Sequence, residues 1–430
     1  MMSSPVRSDD VRRLRVLVVG INYAPEHAGI APYTTEAAEH FARLGHQVQV
    51  ITGVKHYPAW TVPAEQSLRF RTVGWSGGVH VARLRHYVPR KQSAVRRALY
   101  EATFGLHVAI AARELSPDIV IAVVPSLLAA EAARRIARRS GASFGVWVQD
   151  LMGRAAIQSG ILGGGVLAGF TEAIERRVLR SAERVAVLSE GFRRCVREYG
   201  VPESRIAMLP NWTHIEAPDA DRASTRRRLG WEDGRIVALH AGNMGLKQDL
   251  GNVVEAARLA DTHGEPVRFV LTGDGSQRVE LTQRARGIRS IDFMRPVPRS
   301  EYSNVLAAAD VLILNERPGM IDMSLPSKLT SYFAAGRPVV AATPADSGTA
   351  NEVARAAAGR IVPPGRPMDL LNAVTDIGRD ERGAAQVGVR ARNYCDLHLS
   401  AAGAHERLEA FLRELAGAST ISPNVVQVGA

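Results

Sequence analysis

Short apolar runs alternate along the chain with longer segments in which apolar residues recur at every third or fourth position. The runs are rich in Val, Ile and Leu, as expected of parallel strands that helices cover on both faces. This alternation predicts an α/β protein with doubly wound parallel sheets. In the first half, strands are predicted at 15–20, 47–52, 79–84, 118–123, 144–148 and 184–188. The helices predicted between them cover 32–44, 93–115, 126–139, 166–180 and 189–199.

A second series of strands and helices begins after a polar stretch near residue 211. Its strands are predicted at 236–240, 267–272, 290–293, 311–314 and 338–341, and its helices at 249–263, 276–286, 300–309, 327–335 and 351–357. A length of 430 residues suits two domains, each with its own core. Two Rossmann-like domains would face a cleft with the carboxyl ends of their strands. The predicted segments are a disordered start at 1–14, domains at 15–210 and 226–380, a linker at 211–225, helices over 381–415 and a disordered tail at 416–430.

The composition is that of a globular protein, with 46% hydrophobic and 23% charged residues. The longest apolar runs are far shorter than the roughly 20 residues of a membrane span. The start, Met1 to Asp10, has no apolar run of the kind that marks a secretory signal. Cys195 and Cys395 lie far apart and lack the spacing of metal ligands, which favours reduced thiols. We therefore expect a cytoplasmic protein.

A net charge of +11 and a pI near 10.1 call for an anionic partner or a highly charged surface. The arginines form short groups on predicted helices, and no nucleic-acid module signature accompanies them, so nucleic acid is not expected. The segment 83–104 differs because it mixes cations with aromatic and aliphatic residues. This mixture suits docking on an anionic bilayer surface. The alternative is a solvated charged face.

Only four of the 54 basic residues are lysine: Lys55, Lys91, Lys247 and Lys328. Lys247 and Lys328 belong to Gly- or Pro-containing segments that follow predicted strands. An ammonium is a compact charge suited to a phosphate oxygen, whereas a guanidinium is a planar fork that needs more room. The surviving lysines therefore hint at a diphosphate site in the second half, unless they lie there by chance.

The loop after the first predicted strand carries Tyr23, Glu26, His27 and Gly29, and the next helix opens at Pro32. This loop lacks the G-x-G-x-x-G spacing of a dinucleotide site, which disfavours nicotinamide chemistry. A helix opened by proline suits an N-terminus directed into a cleft. Tyr23, Glu26 and His27, with His56 after the second strand, are candidate acceptor-binding residues. The alternative for Gly29 is a turn glycine without a ligand.

Asp150 follows the strand predicted at 144–148, at a carboxyl end that would face the cleft. A carboxylate there is the best candidate in the first domain for an acid, a base or a stabiliser of positive charge. The alternative is a helix or turn cap. The sequence contains no G-x-S-x-G, H-E-x-x-H or Walker A pattern, which disfavours serine hydrolases, zinc peptidases and P-loop NTPases.

Three loops of the second half predict an anion cradle. HAGNMG at 240–245 ends the first strand, and Lys247 follows it. TGDG at 272–275 ends the second strand, where the glycines would let the backbone approach a ligand or would serve a simple turn. Lys328 opens a helix whose dipole it opposes, which suggests an anionic partner.

The order of several motifs resembles the family 4 retaining glycosyltransferases. The motifs are GINYAPE at 20–26, GI at 29–30, YT at 33–34, GHQV at 45–48, QD at 149–150, PNW at 210–212, GNMGLKQ at 242–248 and LPSKLT at 325–330. Within that family, they resemble the colanic-acid-type fucosyltransferase branch. The resemblance covers about residues 15 to 415. It implies the GT-B fold, with the acceptor on the first domain, the nucleotide sugar on the second, and a C-terminal helix crossing back.

The resemblance also assigns donor-binding roles to individual residues. Asn243 and Lys247 match the donor-phosphate loop, and Gly273, Asp274 and Gly275 lie in the loop under the nucleotide. Asp322, Ser327 and Lys328 match the donor-sugar region, and Gly29 matches a glycine that approaches the diphosphate. Many members carry two glutamates eight residues apart, where this chain has Met323 and Ser331. This departure removes the usual basis for a ribose contact by glutamate.

These observations predict a retaining hexosyltransferase of the EC 2.4 type in exopolysaccharide or cell-envelope synthesis. It would move a sugar from a nucleotide-diphosphate donor to a saccharide acceptor carried on a lipid, such as a polyprenyl diphosphate, without a metal or other cofactor. Its location would be cytoplasmic, at the inner face of the membrane. The alternatives are a sugar-nucleotide epimerase or phosphorylase on the same fold, or a catalytically silent binding subunit.

Overall fold

The computed structural model describes residues 13–27, 29–57, 60–64, 69–90, 93–152, 166–232, 234–319 and 327–419. The chain divides into two compact units. The first unit comprises the chain up to Leu209 together with the residues from His405 onward, and the second runs from Pro210 to Ala404.

The first unit contains an eight-stranded sheet within the described residues. Its strands are β1 (Arg15–Val19), β2 (Gln47–Gly53), β3 (Arg71–Ser76), β4 (Val79–Leu84), β5 (Ile119–Val124), β6 (Ser143–Val148), β7 (Arg184–Val187) and β8 (Ile206–Met208). Their spatial order is β3-β4-β2-β1-β5-β6-β7-β8. All described neighbours are parallel except β3 and β4, and Val18 of β1 lies opposite Val50 and Ile121.

Helices explain why the central strands consist mostly of apolar residues. Every residue of β5 and of β6 is buried, as expected when both faces of a parallel sheet are covered. The helices of this part are α1 (Ala31–Arg43), α2 (Ala94–Ala111), α3 (Leu127–Ser140), α4 (Val166–Ser181) and α5 (Glu190–Glu198). Serine side chains cap two of them, because Ser93 accepts from the amide of Arg96 and Ser189 from that of Phe192.

The sequence pattern missed the edge strand β3, which makes the first sheet mixed rather than wholly parallel. β3 pairs antiparallel with β4 through a turn at Gly77 and Gly78, where φ is +57° and +79°. Five of its six residues are exposed, so the strand leaves no apolar run to detect. β8 was also missed, because it has only three residues.

The second unit contains a six-stranded sheet in which all described neighbours are parallel. Its strands are β9 (Ile236–Ala241), β10 (Val267–Thr272), β11 (Ile291–Met294), β12 (Val311–Asn315), β13 (Val339–Ala342) and β14 (Gly359–Val362). Their order is β11-β10-β9-β12-β13-β14. The helices are α6 (Arg222–Leu229), α7 (Gly251–His263), α8 (Arg278–Arg284), α9 (Arg299–Ala308), α10 (Ser327–Ala334), α11 (Gly348–Arg355), α12 (Pro367–Arg379) and α13 (Glu381–His398).

Three elements of the second unit differ from the sequence prediction. β14 and α12 were not predicted, and two of the four residues of β14 are exposed at the sheet edge. α6 begins at Arg222, inside the predicted linker 211–225. The carboxylate of Asp221 caps this helix by accepting from the amide of Ser224 (3.0 Å), which explains a helix in a polar stretch.

The predicted crossing segment 381–415 is divided between the two units. Ala391 and Cys395 of α13 lie in the buried core of the second unit. The last helix, α14 (Ala401–Ser419), belongs to the first unit from His405 onward. A Cβ at Gly145 of β6 would lie 2.7 Å from Leu415, so the absence of a side chain there lets α14 pack closely on the sheet. α14 also extends to residue 419, into the segment predicted as disordered from 416.

Two reciprocal pairs join α14 to α1 within the first unit. His40 Nε2 lies 3.0 Å from the Glu409 carboxylate, and His405 Nε2 lies 2.9 Å from the Glu36 carboxylate. The two imidazole rings stack with their centroids 4.1 Å apart. On each helix the histidine and the glutamate are four residues apart, so each histidine lies against the glutamate of the other helix.

Candidate functional site

In the second unit, the loop after β9 is held by backbone hydrogen bonds to the loop after β10. The Gly242 amide donates to the Thr272 carbonyl and the Met244 amide to the Asp274 carbonyl, both at 2.8 Å. Parallel strands present their carboxyl ends at one edge of the sheet, so the two loops lie side by side there. This edge is where open α/β sheets bind ligands.

Close contact between these loops accounts for both glycines of the second one. Gly273 and Gly275 have φ of +136° and +155°, which L side chains rarely adopt. A Cβ at Gly273 would lie 1.9 Å from the Gly242 carbonyl oxygen, and one at Gly275 would lie 2.6 Å from that of Met244. Packing alone therefore requires these glycines, and their predicted role under a nucleotide stays a prediction.

A buried amide network fixes the far end of the loop after β9, and sequence reasoning missed it. Asn315 ends β12, and its Nδ2 donates to the carbonyls of Gln248 (2.9 Å) and Asp249 (3.0 Å). Its Oδ1 accepts from Asn252 Nδ2 at 2.8 Å. A polar residue at the end of an apolar strand is the one signal that the sequence offered.

Lys328, in the first turn of α10, reaches back to this loop. Its Nζ lies 3.4 Å from His240 Nε2 and 3.5 Å from the Asn243 carbonyl oxygen. Burial lowers the pKa of Lys328 to about 8, although the Glu316 carboxylate opposes this shift. Among the described residues, this half-buried ammonium has few acceptors, which suits an additional anionic partner.

The other predicted donor-binding residues of the loops are more exposed. Lys247 lies in a short 3-10 turn, Leu246–Gln248, with an exposed side chain, and its carbonyl accepts from the Arg317 amide at 3.0 Å. Asn243 is exposed, and its Nδ2 lies 3.4 Å from Gln248 Oε1. The exposed Asp274 carboxylate accepts from the Gly275 amide at 2.8 Å, which stabilises the turn.

Two predicted donor-sugar residues lie outside the described side chains. Asp322 belongs to the stretch 320–326, which is not described. Ser327 begins α10, but its side chain is likewise outside the description. The structure therefore brings together Lys328, Asn243 and the two glycine loops.

In the first unit, Asp150 lies two residues beyond the end of β6. Its Oδ1 accepts from the amide of Leu151 at 2.9 Å, a local bond of the kind made by turn caps. The side chain is partly exposed at the carboxyl edge of the sheet. The position agrees with both sequence readings, so the catalytic role of Asp150 stays a prediction.

Glu26 is buried and holds the loop after β1 through hydrogen bonds. Its Oε1 accepts from the amides of His56 and Tyr57, both at 2.8 Å, and its Oε2 accepts from Asn22 Nδ2 at 2.8 Å. Only 5% of the residue is exposed. These bonds tie the loops after β1 and β2 together, and the predicted role of Glu26 in acceptor binding stays a prediction.

His56 is buried among aromatic rings, and both of its nitrogens are engaged. Nδ1 lies 2.8 Å from the Val54 carbonyl, which only accepts, so Nδ1 carries the proton. Nε2 therefore accepts from the Tyr100 hydroxyl at 2.9 Å. Burial lowers the pKa of His56, which favours this neutral form. As described, His56 positions the loop and offers no free ring nitrogen to an acceptor.

The remaining candidates of the first loop differ in exposure. The Tyr23 hydroxyl is buried without a hydrogen-bond partner among the described residues, and burial raises its pKa. Arg83 lies beside it, with its guanidinium carbon 6.0 Å from the ring centroid, and also donates to the Ala24 carbonyl. His27 is exposed. Gly29 has φ +64°, and a Cβ there would lie 3.2 Å from the Tyr57 ring.

Parts of the basic segment 83–104 face the interior rather than the surface. Arg83 is engaged with the first loop, and His86, Tyr100 and Phe104 are buried. The surface of α2 instead carries four exposed apolar residues at positions that share one helix face. They are Val95, Leu99, Leu106 and Ile110.

Among the described residues, no helix is long and apolar enough to cross a membrane. In the same residues, no three His, Cys, Asp or Glu side chains are grouped so that they could hold a metal ion.

Family comparisons agree with the two-unit architecture. The "Glycosyl transferase 4-like domain" family matches residues 28–212, and "Glycosyl transferases group 1" matches residues 235–380. The chain is 35% identical over 336 residues to the putative colanic acid biosynthesis glycosyl transferase WcaI of Escherichia coli K12, covering 75% of this chain and 82% of that protein. This chain belongs to the family 4 glycosyltransferases and is a glycosyltransferase with the GT-B fold.

More distant proteins share the fold or part of the sequence. An alpha-D-kanosaminyltransferase of Streptomyces kanamyceticus is 24% identical, covering 56% of this chain and 63% of that protein. A sucrose-phosphate synthase of Thermosynechococcus elongatus superposes with a TM-score of 0.73 at 16% identity, covering 94% of this chain and all of that one. The Anabaena protein HepE, solved in complex with UDP, superposes with a TM-score of 0.68 at 14% identity, covering 93% of this chain and all of that one.

Proposed function

We propose that this glycosyltransferase moves a sugar, with retention of configuration, from a nucleotide-diphosphate donor to a lipid-linked saccharide. The observation that carries the proposal is the half-buried Lys328 ammonium, 3.5 Å from the Asn243 carbonyl, at a strand edge that also carries Lys247. HepE, a protein of the same fold, was solved in complex with UDP, which supports a nucleotide as a ligand of this fold. The process would be exopolysaccharide or cell-envelope synthesis, as the name of the colanic acid relative suggests.

The chemistry follows from the charge that develops at the leaving group. The departing diphosphate gains negative charge as the sugar–oxygen bond breaks, and Lys247, Lys328 and loop amides would stabilise it. The sugar becomes oxocarbenium-like and is attacked on the face that the leaving group vacates. Asp150 would orient the acceptor hydroxyl or offset the positive charge on the sugar. The proposed mechanism assigns no step to a metal ion.

A donor screen tests the nucleotide and the sugar together. Thermal shift with UDP-, GDP- and dTDP-sugars should select one nucleotide, and a GDP-sugar would favour the fucosyltransferase branch. Turnover with the selected donor is then measured with and without a saccharide acceptor, and the anomeric configuration of the product is read by NMR. Acceptor-independent conversion would indicate an epimerase, phosphate-dependent release a phosphorylase, and binding without turnover a silent subunit.

Lys247→Ala tests the phosphate contact. We expect the affinity for the selected nucleotide to fall by about tenfold to a hundredfold, the scale of a lost charged partner. Arg286→Ala is the matched control, since it removes an exposed cation from the same unit outside these loops. Equal affinities of the two variants would remove Lys247 from the site. Lys328→Arg should also weaken binding, because a guanidinium needs more room beside Gly242.

The exposed apolar face of α2 supports a peripheral association with an anionic membrane at the cytoplasmic side. Val95 is 70% exposed and Leu106 59%, and exposed arginines lie before this helix (Arg90) and in its first turn (Arg96). An apolar stripe flanked by cations is the pattern that binds anionic bilayers. Binding to vesicles should rise with anionic lipid and fall with salt.

Leu106→Glu tests the membrane contact in vesicle co-sedimentation. It places a charge on the proposed face, and we expect loss of most of the vesicle-bound protein. Leu397→Glu is the control, because Leu397 is 73% exposed on α13 of the second unit. Equal binding of both variants, or equal binding to neutral vesicles, would contradict the proposal.

A further inference from the structure

His240 is the second-last residue of β9, just before the loop that follows this strand, and it has no exposed surface. Its Nε2 faces the Lys328 ammonium at 3.4 Å and the Asn243 carbonyl oxygen at 3.4 Å. Its Nδ1 is buried without a hydrogen-bond partner among the described residues. A fully buried imidazole thus lies in direct contact with an ammonium group.

The chemistry of the two groups fixes the direction of the contact. An ammonium only donates, so in this contact Nε2 accepts from Lys328 Nζ and the imidazole proton resides on Nδ1. The equally near Asn243 carbonyl only accepts, so in this arrangement it receives its hydrogen bond from Lys328 Nζ and not from Nε2. The pKa of His240 is well below its ordinary value, because of burial and the neighbouring ammonium. The imidazole is therefore neutral, and Nε2 remains an acceptor at physiological pH.

Gly242 makes room for this arrangement. A Cβ at Gly242 would lie 2.7 Å from Lys328 Cε, and the residue has φ +130°. The lysine stem therefore passes directly over the glycine before its head group reaches His240. Among the described residues, the charged group that acts on the ammonium is Glu316, after β12, whose carboxylate accepts from the hydroxyls of Thr343 and Thr349.

We propose that His240 is a positioning residue for the leaving diphosphate, which holds the Lys328 ammonium over Gly242 by accepting its hydrogen bond. The inference rests on the proposed function only for the identity of the anion. Without this acceptor, Lys328 would keep the more distant Asn243 carbonyl, and its charged form would be less favoured. His240 would thus act on a donor through Lys328 and not through its own contact.

The scarcity of lysine allows the titration of Lys328 to be measured in the full chain. Reductive methylation with ¹³C-formaldehyde labels four lysines and the amino terminus, and Lys328→Arg assigns one signal. Three variants are compared. His240→Leu removes the acceptor, His240→Asn keeps an amide that stops short of Lys328, and His240→Gln places an amide oxygen near the position of Nε2. The melting temperature of each variant reports its folding.

We expect the Lys328 midpoint to fall by at least half a pH unit in His240→Leu and His240→Asn, and to change little in His240→Gln. UDP affinity at pH 7.5 should weaken at least fivefold in the first two variants and less than twofold in the third. The Asn and Gln pair decides the matter if the Leu variant does not fold.

The outcomes for the positioning role and for the proposed function are separate. An unchanged Lys328 midpoint in His240→Leu and His240→Asn would overturn the positioning role, whether or not the wild type binds UDP. A shifted midpoint in a protein that binds none of the nucleotides would support the positioning role and contradict the proposed function. If UDP affinity fell equally in the Asn and Gln variants, the positioning role would also be overturned, because both substitutions would then act only by disturbing the core.

Discussion

In the first unit a buried carboxylate fastens the loop after β1, whereas in the second unit backbone bonds and glycines fasten the loop after β9. Both carboxylate oxygens of Glu26 accept hydrogen bonds, from Asn22, His56 and Tyr57. The loops at 242–248 and 272–275 instead bind each other through main-chain groups. The second arrangement leaves lysine side chains at the edge, where the first leaves mainly buried rings and a partly exposed Asp150.

This difference suits two kinds of ligand. Backbone hydrogen bonds hold the loop in place, so the lysine ammonium groups are not needed for this and can bind an anion such as the diphosphate of the proposed donor. Side-chain fastening sets a loop shape without placing charge at the surface, which suits a neutral saccharide hydroxyl. The comparison predicts that substitutions break the two loops by different physical routes.

Gly273→Ala should have the largest effect, on the second unit. A Cβ there overlaps the Gly242 carbonyl at 1.9 Å and demands φ +136° of an L residue. We expect the free energy of unfolding to fall by about 4 kcal/mol, through strain and separation of the loops. Urea unfolding of the full chain measures it. Gly264→Ala is the control, with φ +65° and no atom within 4 Å, and should cost about 1 kcal/mol. Similar losses would refute the role given to loop contact.

Glu26→Ala should break the first loop through unsatisfied donors. It leaves the buried His56 amide, the partly buried Tyr57 amide and the Asn22 side-chain amide without their acceptor, at a cost of about 3 kcal/mol in urea unfolding. Glu26→Gln keeps one oxygen for the two backbone amides, so its loss should be less than half as large. If the Gln variant is as unstable as the Ala variant, charge rather than hydrogen bonding holds this loop.

Asp150→Asn tests whether the first unit contributes charge to the chemistry. Asn preserves an acceptor for the Leu151 amide but removes the negative charge. We expect kcat to fall about a hundredfold, or about 2.7 kcal/mol, with donor affinity nearly unchanged. A purely structural Asp150 would leave kcat per folded molecule intact and lower stability by about 1 kcal/mol. Turnover, donor affinity and melting temperature of this variant distinguish the two roles.

His86→Phe should change the pH dependence of the first unit. Burial and the neighbouring His56 lower the pKa of His86 to about 3. Below pH 6.5 the His86 imidazole binds a proton in the unfolded chain but stays neutral in the folded chain. The free energy of unfolding therefore falls as the pH falls. Between pH 7 and pH 5 the wild type should lose about 2 kcal/mol more than the variant. Urea unfolding at both pH values measures this, and parallel losses would contradict it.

The sequence predicted the buried parts of both sheets and missed their margins, for one physical reason. Strands such as β5 and β6 are covered on both faces and therefore read as apolar runs. β3 and β14 lie at sheet edges, where exposed residues erase that signal. α12 was missed although several of its residues are buried, because the prediction left 358–380 without an element, between the helix at 351–357 and the helices over 381–415.

The candidate site was predicted in part, because residue type and spacing do not reveal long-range partners. Lys328 was singled out by its rarity, and it does reach the loop after β9. The partners of Glu26 come from the loop after β2, about 30 residues away, which no local pattern shows. Asn315 is the last residue of β12, and His240 is the second-last residue of β9. Their contacts depend on which strands are neighbours in the sheet, which the sequence does not show.

The assignment of α14 to the first unit has a consequence for the order of events during synthesis. The sheet of that unit is complete at Met208, but its last helix emerges only after the whole second unit has been made. At roughly 5 to 20 residues per second, about 10 to 40 seconds separate the two. During that interval Phe41 and Trp147, which later face Leu408 and Phe411, have no cover from α14. The nascent first unit therefore passes through a period in which chaperone binding and aggregation compete with its completion.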